Sequence, residues 1–274
     1  CSALHHAIPV GELEMIEMLV SAGCNLDEQS LNGQTPLMVA CKSNKIDTVK
    51  YLLDHKCNSS LKDNDGLTSL HWAVWANDTE IVKLLVQAGL NIDEQTDTKF
   101  TPLIIACKKN YPTIVKYLLQ QNCNVHLKDK AGWTPLHWAV LKSDVEVVKM
   151  LVEAGSDINK QTRRLLTPLT LACQYNKSQI VRYLLDQKCN IKFHGKHGLS
   201  AMYAAVRHSE LNIIKMLTES GCDINEQSTE GYTPLIWACQ ANKAGIVRYL
   251  LDQSCDVEVG DKQGFSALHW AVRK

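Results

Sequence analysis

Three histidines stand directly before a tryptophan: His137 in "TPLHWAV", His71 in "TSLHWAV" and His269 in "SALHWAV". An imidazole beside an indole in a short apolar segment can act as a general base next to a stacking platform, or as a ligand-binding pair. Eleven cysteines add a second chemistry, disulfide formation or zinc binding. Structural zinc needs clustered pairs such as C-x-x-C, and the chain has none. Eight of the cysteines instead form two series, at 41, 107, 173 and 239 and at 57, 123, 189 and 255, each advancing by 66 residues. Such spacing puts one thiol into each of several equivalent packing niches, far from its series mates, where a buried cysteine behaves as a small hydrophobe. Reduced thiols in a reducing compartment are expected, the cytoplasm first and the nucleus as the alternative. The sequons at Asn58, Asn77 and Asn176 matter only in a secreted chain, and such short motifs arise readily by chance.

Composition narrows the classes. The chain has 29 basic and 29 acidic side chains, so a surface that is positive throughout, as in a general polyanion binder, is excluded. No apolar run approaches the roughly 18 residues that span a bilayer, and the first residues carry glutamates without a basic start, so no membrane insertion and no signal peptide are read in this segment. Phosphate-binding glycine loops, H-E-x-x-H, nucleophile elbows and dinucleotide fingerprints are absent from the sequence. No catalytic residue, metal or cofactor is assigned.

The candidate chemistry sits on a repeating frame. At a shift of 33 residues nearly the whole chain aligns with itself, with helix starts at "QTPLMVAC", "LTSLHWAV", "FTPLIIAC", "WTPLHWAV", "LTPLTLAC", "LSAMYAAV", "YTPLIWAC" and "FSALHWAV". A second apolar helix such as "EIVKLLVQAG" follows, and then a connecting segment. Adjacent repeats alternate between "LHWAV…AG" and "TPL..AC…YLLD..CN" types, so the larger unit is a 66-residue pair, which explains the cysteine series. Thr134 can cap the first helix, and Pro135 suits its first position. Leu136, Ala139 and Val140 share the face toward the second helix. Gly89, Gly155 and Gly221 supply left-handed helix exits. Lys56, Asn122, Lys188 and Ser254 hold the same place in the other type, which predicts strained exits there. Gly66, Gly132, Gly198, Gly231 and Gly264 supply hairpin turns. Lys99 and Leu165 depart from that pattern, and the shape of their two loops stays open.

A 33-residue period with T-P-L-H-x-A resembles the ankyrin repeat family over essentially the whole chain. The resemblance implies an all-α ankyrin repeat solenoid, each repeat a helix-turn-helix with a hairpin loop. Residues 1–274 are read as a single domain: a truncated repeat at 1–29, full repeats at 30–62, 63–95, 96–128, 129–161, 162–194, 195–227 and 228–260, and a half repeat at 261–274. Solenoid ends need polar caps, so the natural chain is expected to continue past one or both ends. The family's "TPLH" histidine, here His5, His71, His137 and His269, is implied to be structural. Family habit also raises hydroxylation of hairpin asparagines, for which Asn159 and Asn225 match while Asp27 and Asp93 replace them; turn geometry is the favoured reason for these residues.

Eight repeat steps at the usual 8–10 Å helix spacing give a concave face roughly 70 Å long, suited to a polypeptide and not to a small-molecule substrate. In the family, ligands meet the hairpin tips and the exposed end of the first helix. The residue before each capping Thr or Ser is Gln34, Leu67, Phe100, Trp133, Leu166, Leu199, Tyr232 or Phe265. This mostly apolar row either shields neighbouring fingers or contacts a ligand. Trp72, Trp138, Trp237 and Trp270 are either enlarged core residues or groove-edge stackers. Lys42, Lys108, Lys109, Lys130, Lys142, Arg163, Arg164, Lys196, Arg207, Lys262, Arg273 and Lys274 occupy tips and first-helix ends, against Asp65, Asp97 and Glu230. The expected function is a non-catalytic scaffold that binds a protein or peptide with acidic and apolar character. Trp75, Phe100, Trp133, Tyr175 and Tyr232 are its apolar contacts, and Lys108, Lys109, Lys142, Arg163, Arg164 and Arg207 its cationic ones. The alternative is the cytosolic regulatory part of a larger protein such as an ion channel, an acyltransferase or a ubiquitin ligase adaptor. Neutral charge and missing recognition motifs argue against nucleic acid or phosphoinositide binding.

Overall fold

The computed structural model describes residues 2–195, 198 and 200–272. Lys196, Leu199, Arg273 and Lys274, named above for their position, lie outside the described residues. Among the described residues there are seventeen α-helices and no strand. The chain divides into two compact units, Cys1–Lys130 and Ala131–Lys274.

The first unit holds α1 (Ala3–Val10), α2 (Leu13–Ser21), α3 (Pro36–Lys42), α4 (Ile46–Asp54), α5 (Ser69–Trp75), α6 (Thr79–Gln87), α7 (Pro102–Lys109) and α8 (Pro112–Gln120). The second holds α9 (Pro135–Lys142), α10 (Val145–Glu153), α11 (Pro168–Gln174), α12 (Ser178–Asp186), α13 (Ala201–His208), α14 (Leu211–Glu219), α15 (Pro234–Gln240), α16 (Ala244–Asp252) and α17 (Ala267–Val272). Within each unit every odd-numbered helix packs on the next odd-numbered one, even-numbered helices pair likewise, and each odd helix packs on the even helix that follows it. Each unit is therefore a two-layered, all-α repeat solenoid.

Helices of six to nine residues are too short to persist alone and are held by packing. Leu70, Ala73 and Val74 of α5 and Ile81, Val82 and Leu85 of α6 illustrate the seam, all completely buried. Starts are fixed by caps. Thr35, Thr101, Thr167 and Thr233 each accept the backbone N–H of the third helical residue at 3.1–3.3 Å, ahead of a proline at the first helical position. Thr134 also holds the N-cap position, but the hydrogen bond of its hydroxyl runs to His137 Nδ1 at 2.8 Å. Gly89 leaves α6 at φ +86°, and Lys56, Asn122, Lys188 and Ser254 take the same left-handed region at φ +55° to +58° despite their side chains.

The connecting hairpins ride on one another. Asp97 N–H donates to Asp65 O and Arg163 N–H to Ala131 O, each at 3.1 Å. A Cβ on Gly132 would stand 2.9 Å from the Arg163 nitrogen, so this approach requires glycine. Lys99 and Leu165 preserve the same turn: they hold φ +63° and +60°, and their N–H groups donate to Thr96 O and Thr162 O at 2.8 and 2.9 Å. Asp27 and Asp93 in the first unit and Asn159 and Asn225 in the second do one job. Each side-chain oxygen accepts a backbone N–H about one repeat onward, at 2.7–2.8 Å. The asparagines raised as modification candidates thus serve as clasps between fingers.

Candidate partner-binding face

The histidine–tryptophan pairs come first, because they raised the chemical question. Thr68 N–H and Thr134 N–H each donate to the Nδ1 of their histidine, His71 or His137, at 3.1 Å. A backbone amide can only donate, so Nδ1 is unprotonated. His71 Nε2 faces the carbonyls of Glu94 and Phe100 at 3.1 and 3.2 Å, and His137 Nε2 faces that of Lys160 at 3.0 Å. A carbonyl can only accept, so Nε2 carries the proton and each ring is neutral. Burial holds the His71 pKa down at about 4, although the backbone carbonyls of Phe100 and Glu94 oppose the shift. Both of its nitrogens are engaged in tying the helix start to the next hairpin, which leaves no lone pair for catalysis.

The buried thiols are poor nucleophiles. None of the ten described cysteines is joined in a disulfide, and Cys41, Cys107 and Cys173 lie fully inside the helix layers. Burial pushes Cys57 up to about 11 and Cys123 up to about 12, and Cys41 and Cys107 higher still, away from the thiolate a nucleophile needs. Among the described residues no group of three or more His, Cys, Asp and Glu is placed to hold a metal.

The cations and aromatic rings are organised differently in the two units. In the first, Lys42 Nζ lies 4.9 Å from the Trp72 ring centroid, Lys108 Nζ 4.5 Å from Phe100 and Lys109 Nζ 4.6 Å from Trp75. Trp72 and Trp75 approach each other at 6.5 Å, and the Trp72 indole N–H donates to Asp63 Oδ2 at 2.9 Å. Trp75 remains 45% exposed, so its ring and the ammonium above it both face solvent. A ring anchors a cation weakly, by about 0.5–1 kcal/mol at an exposed site, without neutralising it.

In the second unit Trp133 packs on Trp138 at 4.9 Å, and Tyr232 lies 4.7 Å from Trp237 and 5.7 Å from Trp270. Arg207 spreads over Trp237 at 5.9 Å and donates from Nη1 to the Tyr203 hydroxyl at 2.8 Å. Arg164 and Arg207 line a single cleft. Lys142, Arg163 and Tyr175 are exposed but are not drawn into that cluster. Leu67, Phe100, Trp133, Leu166 and Tyr232 are half-buried, while Phe265 is exposed, so the row before the capping residues both shields its neighbours and shows a ring edge. The four tryptophans are also half-buried, neither core nor free.

Of the tip and helix-end cations, Lys42, Lys109, Lys130, Lys142, Arg163, Arg164, Arg207 and Lys262 have no carboxylate within ion-pair distance among the described residues. Ion pairs fall elsewhere, as at Lys83–Glu80 and Lys149–Glu146 on the second helices. Sequence reasoning missed Asp63, Tyr203 and His208. Tyr203 carried a usable signal, since it replaces histidine in the "TPLH" series, and so did Asp63, whose spacing of nine residues to Trp72 recurs in the hydrogen-bonded pair Asp261 and Trp270; His208 depends on which way the packing turns its side chain.

A family model described as "Ankyrin repeats (3 copies)" matches residues 4–96, 77–162, 160–228 and 220–274. No curated protein matches the chain. Ankyrin repeats are generally protein–protein interaction modules and typically non-catalytic scaffolds. No helix among the described residues is long and apolar enough to cross a membrane. With that match covering nearly every residue, the chain belongs to the ankyrin repeat family.

Proposed function

We propose that this chain is a non-catalytic adaptor whose finger tips and first-helix ends bind an acidic, partly apolar polypeptide segment. One observation carries the reading: Lys42, Lys109 and Arg207 rest on aromatic rings and Arg163 and Arg164 have no carboxylate at ion-pair distance among the described residues, whereas Lys83 and Lys149 on the second helices are paired with Glu80 and Glu146. Unbalanced positive charge beside exposed ring surface attracts acidic side chains, and the rings supply apolar area for anchors. In the first unit the contact set is Trp75, Phe100, Lys108 and Lys109; in the second it is Trp133, Lys142, Arg163, Arg164, Tyr175, Arg207 and Tyr232.

Fluorescence anisotropy with a labelled peptide alternating glutamate, leucine and tryptophan tests this. Affinity should fall as salt is raised, because exposed charges are screened beyond roughly 8 Å at physiological ionic strength. Trp133→Ala should weaken binding by about 2 kcal/mol, as removal of an aromatic hot spot does. Equal affinity for a lysine-substituted peptide, or no response to salt or to either of Trp75→Ala and Trp133→Ala, rejects the face.

A further inference from the structure

The cleft in the second unit has a more specific chemistry than the rest of the face. It holds about 380 Å³ and opens between the hairpin and first helix of one repeat and the first helix of the next. Its walls include Leu166, Ala204 and the ring of Tyr203, its cations are Arg164 and Arg207, and the His208 imidazole lies beside them. No acidic side chain is among the described residues that line it. Arg164 has no hydrogen-bond or ion-pair partner among the described residues, whereas Arg207 is held in place by the Tyr203 hydroxyl and the Trp237 ring.

We infer that this cleft takes an aryl phosphate, the side chain of a phosphotyrosine presented by a peptide. The inference rests on the polypeptide-binding reading above and assigns one anchor of that ligand. A carboxylate offers two oxygens and one charge, while a phosphate monoester offers three oxygens and nearly two charges, a better match for two guanidinium forks converging from different elements. The volume also exceeds what a carboxylate alone would fill, and the apolar walls suit a phenyl ring. Partial burial first, and then the neighbouring charges of Arg207 and Lys243, hold the His208 pKa below its usual range, so its ring stands beside the two guanidiniums as a neutral donor or acceptor. One guanidinium is preset by its contacts and the other is free to close on the anion.

The test is a titration of the isotopically labelled chain with phenyl phosphate, followed by amide chemical shifts. Saturable shifts should map to Arg164, Tyr203, Arg207 and their neighbours, with a dissociation constant on the order of 1 mM for so small a ligand. Inorganic phosphate and 4-methylbenzoate should each bind at least about fivefold more weakly. Arg164→Gln and Arg207→Gln should each weaken phenyl phosphate by about fivefold or more while the circular dichroism spectrum is unchanged. A pair of short peptides differing only in tyrosine or phosphotyrosine should show the same preference. No saturable shift up to 20-fold above the expected constant, equal binding of inorganic phosphate, or indifference to the double arginine variant overturns the inference. Tighter binding of adenosine monophosphate than of phenyl phosphate overturns the peptide assignment in favour of a nucleotide. A chain that binds the acidic peptide but ignores phenyl phosphate loses this inference alone; one that takes phenyl phosphate but ignores the acidic peptide loses the wider reading.

Discussion

The repeats that carry α5 and α13 put different residues at one position, and the contrast explains where the molecule is closed and where it is open. In the first, His71 is completely buried, and its two nitrogens bind the helix start and the following hairpin. In the second, Tyr203 stands there. Its hydroxyl turns outward to Arg207, and its ring packs edge-on against Trp237 at 4.6 Å. The hairpin contact that histidine would have made is replaced by a side chain: Glu226 accepts from the Ser200 hydroxyl and lies 3.6 Å from His194 Nε2. Histidine at this site welds helix to finger. Tyrosine there hands the weld to a carboxylate and contributes its own ring to a cleft.

The largest expected effect comes from breaking the weld. His71→Ala removes a fully buried ring and strands the Thr68 amide and two carbonyls, so urea melts should show a loss of about 3 kcal/mol. Undiminished stability would mean that the hairpins hold without it. The same ring makes stability depend on pH. Its folded pKa of about 4 lies below the ordinary value of 6.5, so the unfolded chain binds more protons between those limits. The His71 contribution is complete above pH 6.5 and is lost as pH falls toward 4, by up to about 3 kcal/mol; melts of wild type and His71→Gln should converge over that window.

Grafting sharpens the comparison from the other side. Tyr203→His should restore the weld, raise stability by about 1 kcal/mol and widen the cleft by removing its aromatic wall, checked by thermal melting and by loss of phenyl phosphate binding. Tryptophans give a smaller contrast. Trp72 donates to Asp63, while the buried Trp237 indole nitrogen has no hydrogen-bond partner among the described residues. Trp72→Phe should therefore cost about 1 kcal/mol more than Trp237→Phe; equal losses would show that the Asp63 bond contributes nothing. Smallest is Glu226→Gln. Burial raises the Glu226 pKa despite the Ser200 hydrogen bond, so its ionised form is disfavoured in the folded chain. A raised carboxyl pKa favours folding in acid and loses that contribution as pH climbs through it. The glutamine variant should melt slightly higher than wild type at pH 7, and the gain should vanish on acidification.

Much of the frame was legible before any coordinates. Thr101–Pro102 and Thr233–Pro234 announced helix starts, Gly89 and Gly155 announced exits, and each rests on backbone geometry within a few residues. Lys99 and Leu165 were harder to read. A hairpin fixed by contacts on both sides keeps its turn even when a residue with a Cβ must hold a positive φ, and only the neighbouring fingers supply that constraint.

The sequence by itself determined the repeat, the order of helices and the buried seam, because each follows from short-range rules that recur at every 33rd residue. The tertiary structure decided which cation lies over which ring, that Asp63 holds Trp72, and that Arg164, Arg207 and Tyr203 line one cleft. Those pairings join residues in different repeats or opposite ends of one, and long side chains settle by the packing that surrounds them. Periodicity fixes where a side chain starts; the neighbouring repeat fixes where it ends.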